Sequence, residues 1–142
     1  MSKNAEFTDK LRASGLRPTK QRLKICEVLF NRDTTFHFTV NDLVKCISDK
    51  LNQKISLATV YNTVHAFKDK GYLKEISINS DKSYFDTNTT NHHHFFDEDS
   101  NELIDCNEEV IETPKIKKNI LGKKINSVEV LVRVATDNQN QK

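Results

Sequence analysis

The sequence predicts an α+β protein. It has an N-terminal winged helix-turn-helix domain, residues 1–86, and a small C-terminal α/β dimerisation domain, residues 87–142, with a short antiparallel sheet. Three observations support this prediction. Residues 56–76 read as an amphipathic helix, a glycine stop and a strand. Capped helical patterns precede this stretch, and alternating apolar residues typical of strands follow it.

Charge is unevenly distributed along the 142 residues. Up to Glu75 there are 14 Lys and Arg against 8 Asp and Glu, whereas from Ile76 onward there are 8 against 12. A basic first half suits an anionic polymer, and an acidic second half suits a cation site or simply solubility. Because no apolar run approaches ~18 residues and no leader sequence opens the chain, we expect a cytoplasmic protein with no membrane partner.

The three cysteines, Cys26, Cys46 and Cys106, are widely separated and form no Cys-x-x-Cys pair. A structural zinc site made of four cysteine thiolates is therefore excluded within one chain. Cys26 and Cys46 fall on apolar helical stripes, which favours their burial as small hydrophobic side chains.

Threonines with N-capping potential predict the first three helices. The candidates are Thr8 before residues 9–14, Thr19 before a helix that ends near residues 31–33, and Thr39 before residues 40–51. Gly15 ends the first of these helices, because glycine enters the left-handed conformation at little cost. Asp42, three residues after Thr39, completes a capping box.

The fourth helix begins after Ser56 and stops at Gly71. Its expected buried stripe is Leu57, Val60, Val64 and Phe67, and its slim polar face is Ala58, Thr59, Asn62 and Ala66. Such a face can enter a major groove about 12 Å wide, where Thr and Asn address base edges or phosphates. Together with the third helix and the short link before Ser56, it fits a helix-turn-helix.

A β-hairpin is predicted after Gly71, from residues 72–78 and 82–86 around a polar turn. A hairpin directly after a recognition helix is a wing. Lys74 and Lys82 are placed on it to contact the phosphate backbone, with ordinary solvation as the alternative.

Three consecutive histidines, His92 to His94, are the second chemical feature. On an extended segment His92 and His94 share one face and can grip a transition metal or haem iron. His37 and Asp86 are the distant partners we expect for a metal. Imidazole and carboxylate ligands suit Zn, Fe or Mn, whereas haem needs only one or two of the histidines. The alternative is a polar surface cluster.

The C-terminal part predicts short strands. Eight acidic residues between Asp97 and Glu112 are interrupted by the apolar pairs 103–104 and 110–111, which suggests two strands. A short helix is expected over residues 114–121, and alternating valines predict a strand over 128–134. Such a small sheet buries too little surface alone, so we expect a homodimer. The tail from about residue 137 is expected to be disordered.

Three motifs carry a resemblance to a known family: Gly15 to Arg22, Leu57 to Val64, and the histidine triplet. In this order and spacing they resemble the ferric uptake regulator (Fur) family over nearly the whole chain. The triplet followed by Phe95 and Phe96 is most similar to the iron response regulator (Irr) branch. The resemblance implies a dimeric winged-helix transcriptional regulator, mainly a repressor, of iron and haem metabolism genes.

The resemblance also implies site residues. On the DNA side these are Tyr61, Arg17, Gln21 and Arg22, which would contact double-stranded operator DNA. Phe95 and Phe96 stand where the family usually has two further metal ligands, which favours haem as the effector. The haem would be held by the triplet His92, His93 and His94, and His65 would serve a second haem site. The alternative is a direct divalent-metal or peroxide sensor. An enzyme is disfavoured, because no acid and base constellation accompanies the histidines.

Overall fold

The structure is a computed structural model that describes residues 2–138. Its contacts divide the chain into two compact units, one reaching to Thr89 and one starting at Thr90, and this boundary falls a few residues after the one the sequence suggested. The α+β class is confirmed, since helices and small sheets both occur. Most of the tail that was expected to be disordered lies outside the described residues. No helix within residues 2–138 has the length and apolar character needed to cross a membrane.

Four helices form most of the first unit. They are α1 (Lys3–Ala13), α2 (Lys20–Phe30), α3 (Val40–Leu51) and α4 (Leu57–Lys70). Thr19, Thr39 and Ser56 cap the last three, as predicted, because each side-chain oxygen accepts a bond from the backbone three residues on.

The prediction for the first helix was wrong. Ser2 rather than Thr8 is the N-cap, so the helix is a full 11 residues long. Phe7 and Leu11 are both buried and lie four residues apart on one face of the helix. Phe7 precedes residue 9, where the predicted helix began, so the buried face is longer than the sequence suggested.

A three-stranded antiparallel sheet completes this unit. Its strands are β1 (His37–Phe38), β2 (Lys74–Asn79) and β3 (Lys82–Asp86), in the order β1-β3-β2. The hairpin predicted after Gly71 is therefore present, with its first strand beginning two residues later than expected.

The core of the unit lies between the helices and β3. Val60, Val64 and Phe67 are fully buried, as the helical stripe predicted. Leu57 is a correction, since 54% of its side chain is exposed. The first turn of α4 lies at the margin of the core, where helical spacing alone does not ensure burial.

The second unit contains a three-stranded sheet of β4 (His93–Asp97), β5 (Glu102–Cys106) and β6 (Leu131–Val134), in the order β5-β4-β6. β4 and β5 are antiparallel, but β6 runs parallel to β4. The prediction of an antiparallel sheet is therefore wrong for β6, which pairs with β4 in parallel. That strand is also shorter than the predicted 128–134.

Two further predictions for this unit were wrong. The predicted helix over 114–121 is absent, because Asn119 holds a turn instead: its Nδ2 donates to the Lys123 carbonyl (2.7 Å) and its Oδ1 accepts from the Ile120 amide (2.7 Å). The predicted strand around residues 110–111 is also absent. There the Asn107 carbonyl accepts from both amides in a second turn.

The capping box of α3 supplies a test of stability. The Thr39 hydroxyl accepts from the Asp42 amide and the Asp42 carboxylate accepts from the Thr39 amide, each at 3.1 Å. We expect Thr39→Ala to lower the free energy of unfolding by roughly 1 kcal/mol, because a first-turn amide loses its partner. Thermal denaturation measures the loss. Thr34→Ala, at an exposed bend, is the matched control, and equal stability of the two variants would contradict the role of the box.

Candidate functional site

The hairpin of β4 and β5 brings a carboxylate to the histidines. His94 and Asp105 are directly opposite each other in the strand register, and His92 lies two residues earlier on the same side. Asp105 Oδ1 lies 3.0 Å from His94 Nε2 and 3.5 Å from His92 Nε2. The two imidazole rings are 4.4 Å apart.

The tautomer of His92 suits a metal ligand. Its Nδ1 lies 2.7 Å from the Thr90 carbonyl, an acceptor only, so Nδ1 carries the proton and donates it there. The lone pair of the neutral ring is then on Nε2, the atom that faces Asp105. Ligand histidines commonly donate their other ring nitrogen to a backbone carbonyl in this way.

The three side chains fit a divalent cation. One ligand atom each from His92, His94 and Asp105 lie within 4.8 Å of one another, with His94 buried and Asp105 exposed. Two imidazoles and a carboxylate suit Fe, Mn or Zn. Asp105 was not among the candidate ligands that the sequence suggested. The signal was the polar turn at residues 98–101, because a hairpin closed there places position 105 opposite position 94.

His93 points to the other face of β4 and is 2% exposed. Its Nδ1 accepts from the Val130 amide (2.9 Å), so its Nε2 donates to the Thr113 hydroxyl (2.9 Å). The hydroxyl and the backbone amide of Thr113 both donate to the Glu108 carboxylate, and these two bonds hold the pKa of Glu108 below its usual range. Both ring nitrogens of His93 thus bind protein groups and join β4 to two later segments.

The other two predicted metal ligands belong to the first unit. His37 on β1 and Asp86 on β3 are partners in the strand register, so they lie side by side. Asp86 is 1% exposed, and its Oδ1 accepts from the Asn88 amide at 2.9 Å. The His37 ring stands 6.1 Å from the Tyr84 ring.

Two of the three cysteines are buried. Burial raises the pKa of Cys26 to about 12, and burial also raises the pKa of Cys106 above its usual range. Cys46 is half-buried, less than its apolar stripe suggested. The donor set of His92, His94 and Asp105 contains no cysteine.

The outer face of α4 largely follows the prediction. Ala58, Asn62 and Tyr61 are exposed, while Thr59 is half-buried, as is Ala66. Ser56 accepts from the Thr59 amide (3.2 Å) and donates its hydroxyl proton to Thr59 Oγ1 (2.9 Å). These bonds fix the first turn of the helix.

His65, predicted as a second haem ligand, packs among aromatic side chains. The centre of its ring lies 4.0 Å from that of Tyr61, with the two planes tilted by 32°, and it meets the Phe85 ring edge-on at 5.2 Å. The half-buried imidazole thus connects the outer face of α4 to the core.

The remaining predicted DNA contacts are distributed over α2 and the hairpin. Arg17 and Gln21 are exposed, and half-buried Arg22 donates from Nη1 to the Arg17 carbonyl at 3.0 Å. Lys74 opens β2 and Lys82 opens β3, where its Nζ lies 5.3 Å from the centre of the Tyr84 ring.

Comparison with known proteins gives consistent results. Residues 13–133 match the ferric uptake regulator family. The peroxide-responsive repressor PerR of Staphylococcus aureus is 37% identical over 95 residues, which is 67% of this chain. The chain spans only 62% of the length of that relative.

Two solved structures have similar folds. The ferric uptake regulator of Vibrio cholerae superimposes with a TM-score of 0.67 at 26% identity, covering 91% of this chain and 98% of that one. The ferric uptake regulator of Pseudomonas aeruginosa, solved with manganese, gives a TM-score of 0.66 at 25% identity and covers 96% and 98% of the two chains.

Proposed function

The chain belongs to the ferric uptake regulator family, as the resemblance predicted, and on that basis we propose that it is a metal-responsive DNA-binding repressor. Members of this family are transcriptional regulators and not enzymes, in agreement with the prediction of a non-enzymatic protein. The observation that carries the proposal is the cluster of His92, His94 and Asp105. The Nδ1 proton of His92 is donated to the Thr90 carbonyl, so that Nε2 can bind a metal. A repressor of chromosomal operators also requires the cytoplasmic location expected from the sequence.

The DNA-reading part of the proposal uses the first unit. Helix α3, the link of residues 52–56 and helix α4 act as a helix-turn-helix, with the β2–β3 hairpin as the wing. Ala58, Thr59, Tyr61 and Asn62 face bases and nearby phosphates, while the other predicted contacts, Arg17, Gln21, Arg22, Lys74 and Lys82, hold the backbone. The excess of basic residues up to Glu75 supports this use.

The effector in this proposal is one Fe, Mn or Zn ion held by His92, His94 and Asp105. The manganese in the Pseudomonas aeruginosa relative supports a divalent metal. A metal would link Asp105 on β5 to His94 on β4 and to His92, the residue just before β4. By linkage, metal binding and operator binding strengthen each other by the same coupling free energy, about 1–3 kcal/mol. That His37 and Asp86 join the same ion stays a prediction from the sequence.

The regulator in this proposal is a homodimer. Most of the large apolar side chains exposed on the described chain belong to the second unit: Ile104, Val110, Ile116, Ile120, Leu121 and Ile125. A three-stranded sheet with this much uncovered apolar surface gains stability from a second copy. Two recognition helices about 34 Å apart then match a pseudo-palindromic operator.

Haem sensing of the Irr type has less support. His93 would have to give up its bonds to Val130 and Thr113 before binding iron, and His65 would have to leave its aromatic neighbours. The similarity to a ferric uptake regulator solved with manganese also favours a metal ion over haem as the effector.

Fluorescence anisotropy with labelled genomic fragments tests the proposal. We expect nanomolar binding to selected fragments with Mn²⁺ or Zn²⁺, and binding weaker by about 5–150-fold after EDTA treatment, the range of a typical coupling. The same titration with haemin is expected to leave the affinity unchanged. Equal affinity with metal and with EDTA would contradict the metal effector, and a loss on haemin addition would favour the haem alternative.

A further inference from the structure

A groove runs beside the start of the recognition helix in the first unit. It has a volume of about 650 Å³ and lies between the side of α3 and the first residue of α4. The residues that line it are Asn41, Val44, Lys45, Ser48, Lys54, Ile55, Ser56 and Leu57. None of these residues is among the DNA contacts predicted from the sequence.

The groove combines an apolar floor with a cationic rim. Ile55 is buried and Val44 half-buried, while Leu57, the residue expected in the core, leaves 54% of its side chain open. Lys45 and Lys54 are both exposed, and neither forms an ion pair within residues 2–138. No acidic residue lines the groove. Its surface therefore complements an anion that also has apolar faces.

The sugar–phosphate backbone of DNA has this chemistry, since charged phosphates alternate with largely apolar deoxyribose rings. Position favours the same occupant. In a helix-turn-helix the recognition helix enters the major groove while the preceding helix crosses the backbone beside it. Here Lys45 lies on that preceding helix and Lys54 on the link, and both line the groove together with the exposed Leu57.

We propose that this groove seats one strand of the operator backbone, with Lys45 and Lys54 contacting phosphates and Leu57 packing against deoxyribose. This inference rests on the proposed function and extends its interface from α4 to α3 and the link. Contacts of this kind fix the register of the protein on the duplex and carry no sequence information. They therefore contribute equally to binding of operator and unrelated DNA.

Salt dependence tests the inference directly. Each phosphate neutralised adds about 0.9 to the slope of log Kobs against log salt. We expect the double variant K45Q/K54Q to lose nearly 2 from this slope, about one for each lysine, and to weaken operator and unrelated duplex by the same factor. K50Q/K70Q removes the same charge at exposed positions outside the groove, and its slope should change by less than half as much.

A second variant separates the contribution of the lysine charges to DNA affinity from that of apolar packing. We expect Leu57→Ser to weaken binding of both duplexes severalfold while leaving the slope as in the wild type, because no ionic contact is lost. Melting curves of all variants should coincide, since the three groove positions are exposed. If the wild type binds DNA and K45Q/K54Q keeps the full slope, the groove does not seat the DNA backbone. The inference then fails while the proposed function stands. If the wild type binds no duplex, the proposed function fails with it.

Discussion

Replacing Asp105 by asparagine is expected to weaken Mn²⁺ or Zn²⁺ binding by about 100-fold and to remove the metal dependence of operator binding. One of three ligands loses its charge, and an amide is a poor ligand for these ions. The side chain is exposed, so the change should leave the fold intact. His94→Ala should have a similar effect on the metal, but it also opens a buried site and lowers stability.

Isothermal titration with each metal measures the affinity, and anisotropy with and without metal measures the coupling. Glu102→Gln is the matched control: it removes one negative charge from the same strand, away from the donor set. Its metal affinity should stay within about twofold of the wild type, because an exposed charge at that distance is largely screened. Unchanged metal affinity in the Asp105 variant would remove this carboxylate from the ligand set.

Replacing Ile120 and Leu121 together by serine is expected to convert the proposed dimer to a monomer at micromolar concentration. The two residues are 73% and 99% exposed at the end of the Asn119 turn. Burying an aliphatic side chain stabilises an interface by about 1.5–3 kcal/mol. A twofold dimer uses each residue twice, so the dissociation constant should rise at least about 100-fold.

Sedimentation velocity over a concentration series measures this change without DNA or metal. Leu57→Ser serves as the control, since it removes another exposed leucine, one that belongs to the first unit, and it should leave the dimer intact. Operator affinity of the monomeric variant should fall as well, because each copy then meets only one half-site. A double variant that sediments as a dimer would place the interface elsewhere.

Two phenylalanines follow the histidine triplet of this chain. Phe95 and Phe96 follow the triplet where further ligands are usual in the resembled family, and Phe96 is instead 4% exposed in the sheet. In the proposed site the carboxylate of Asp105, opposite His94 on the neighbouring strand, is the acidic ligand instead.

The starts of α2, α3 and α4 and the main hairpin follow from the sequence alone, whereas the start of α1 does not. Thr19, Thr39 and Ser56 were recognised as caps because a cap bonds to the backbone three residues on, within one turn. The buried stripe of α4 from Val60 to Phe67 follows from helical spacing in the same way. Two of the three motifs behind the family resemblance, Gly15 to Arg22 and Leu57 to Val64, contain such local signals.

Which distant residues meet could be learned only from the three-dimensional arrangement. The pairing of Asp105 with His94 depends on hairpin register, and the bond from Val130 to His93 joins residues 37 positions apart. The parallel direction of β6 and the turn at Asn119 were equally out of reach of periodicity. Local hydrogen bonds, such as helix caps, join residues a few positions apart, so the sequence alone identifies them. Strand register and burial depend on which distant segments pair with each other, and this is decided by the tertiary structure.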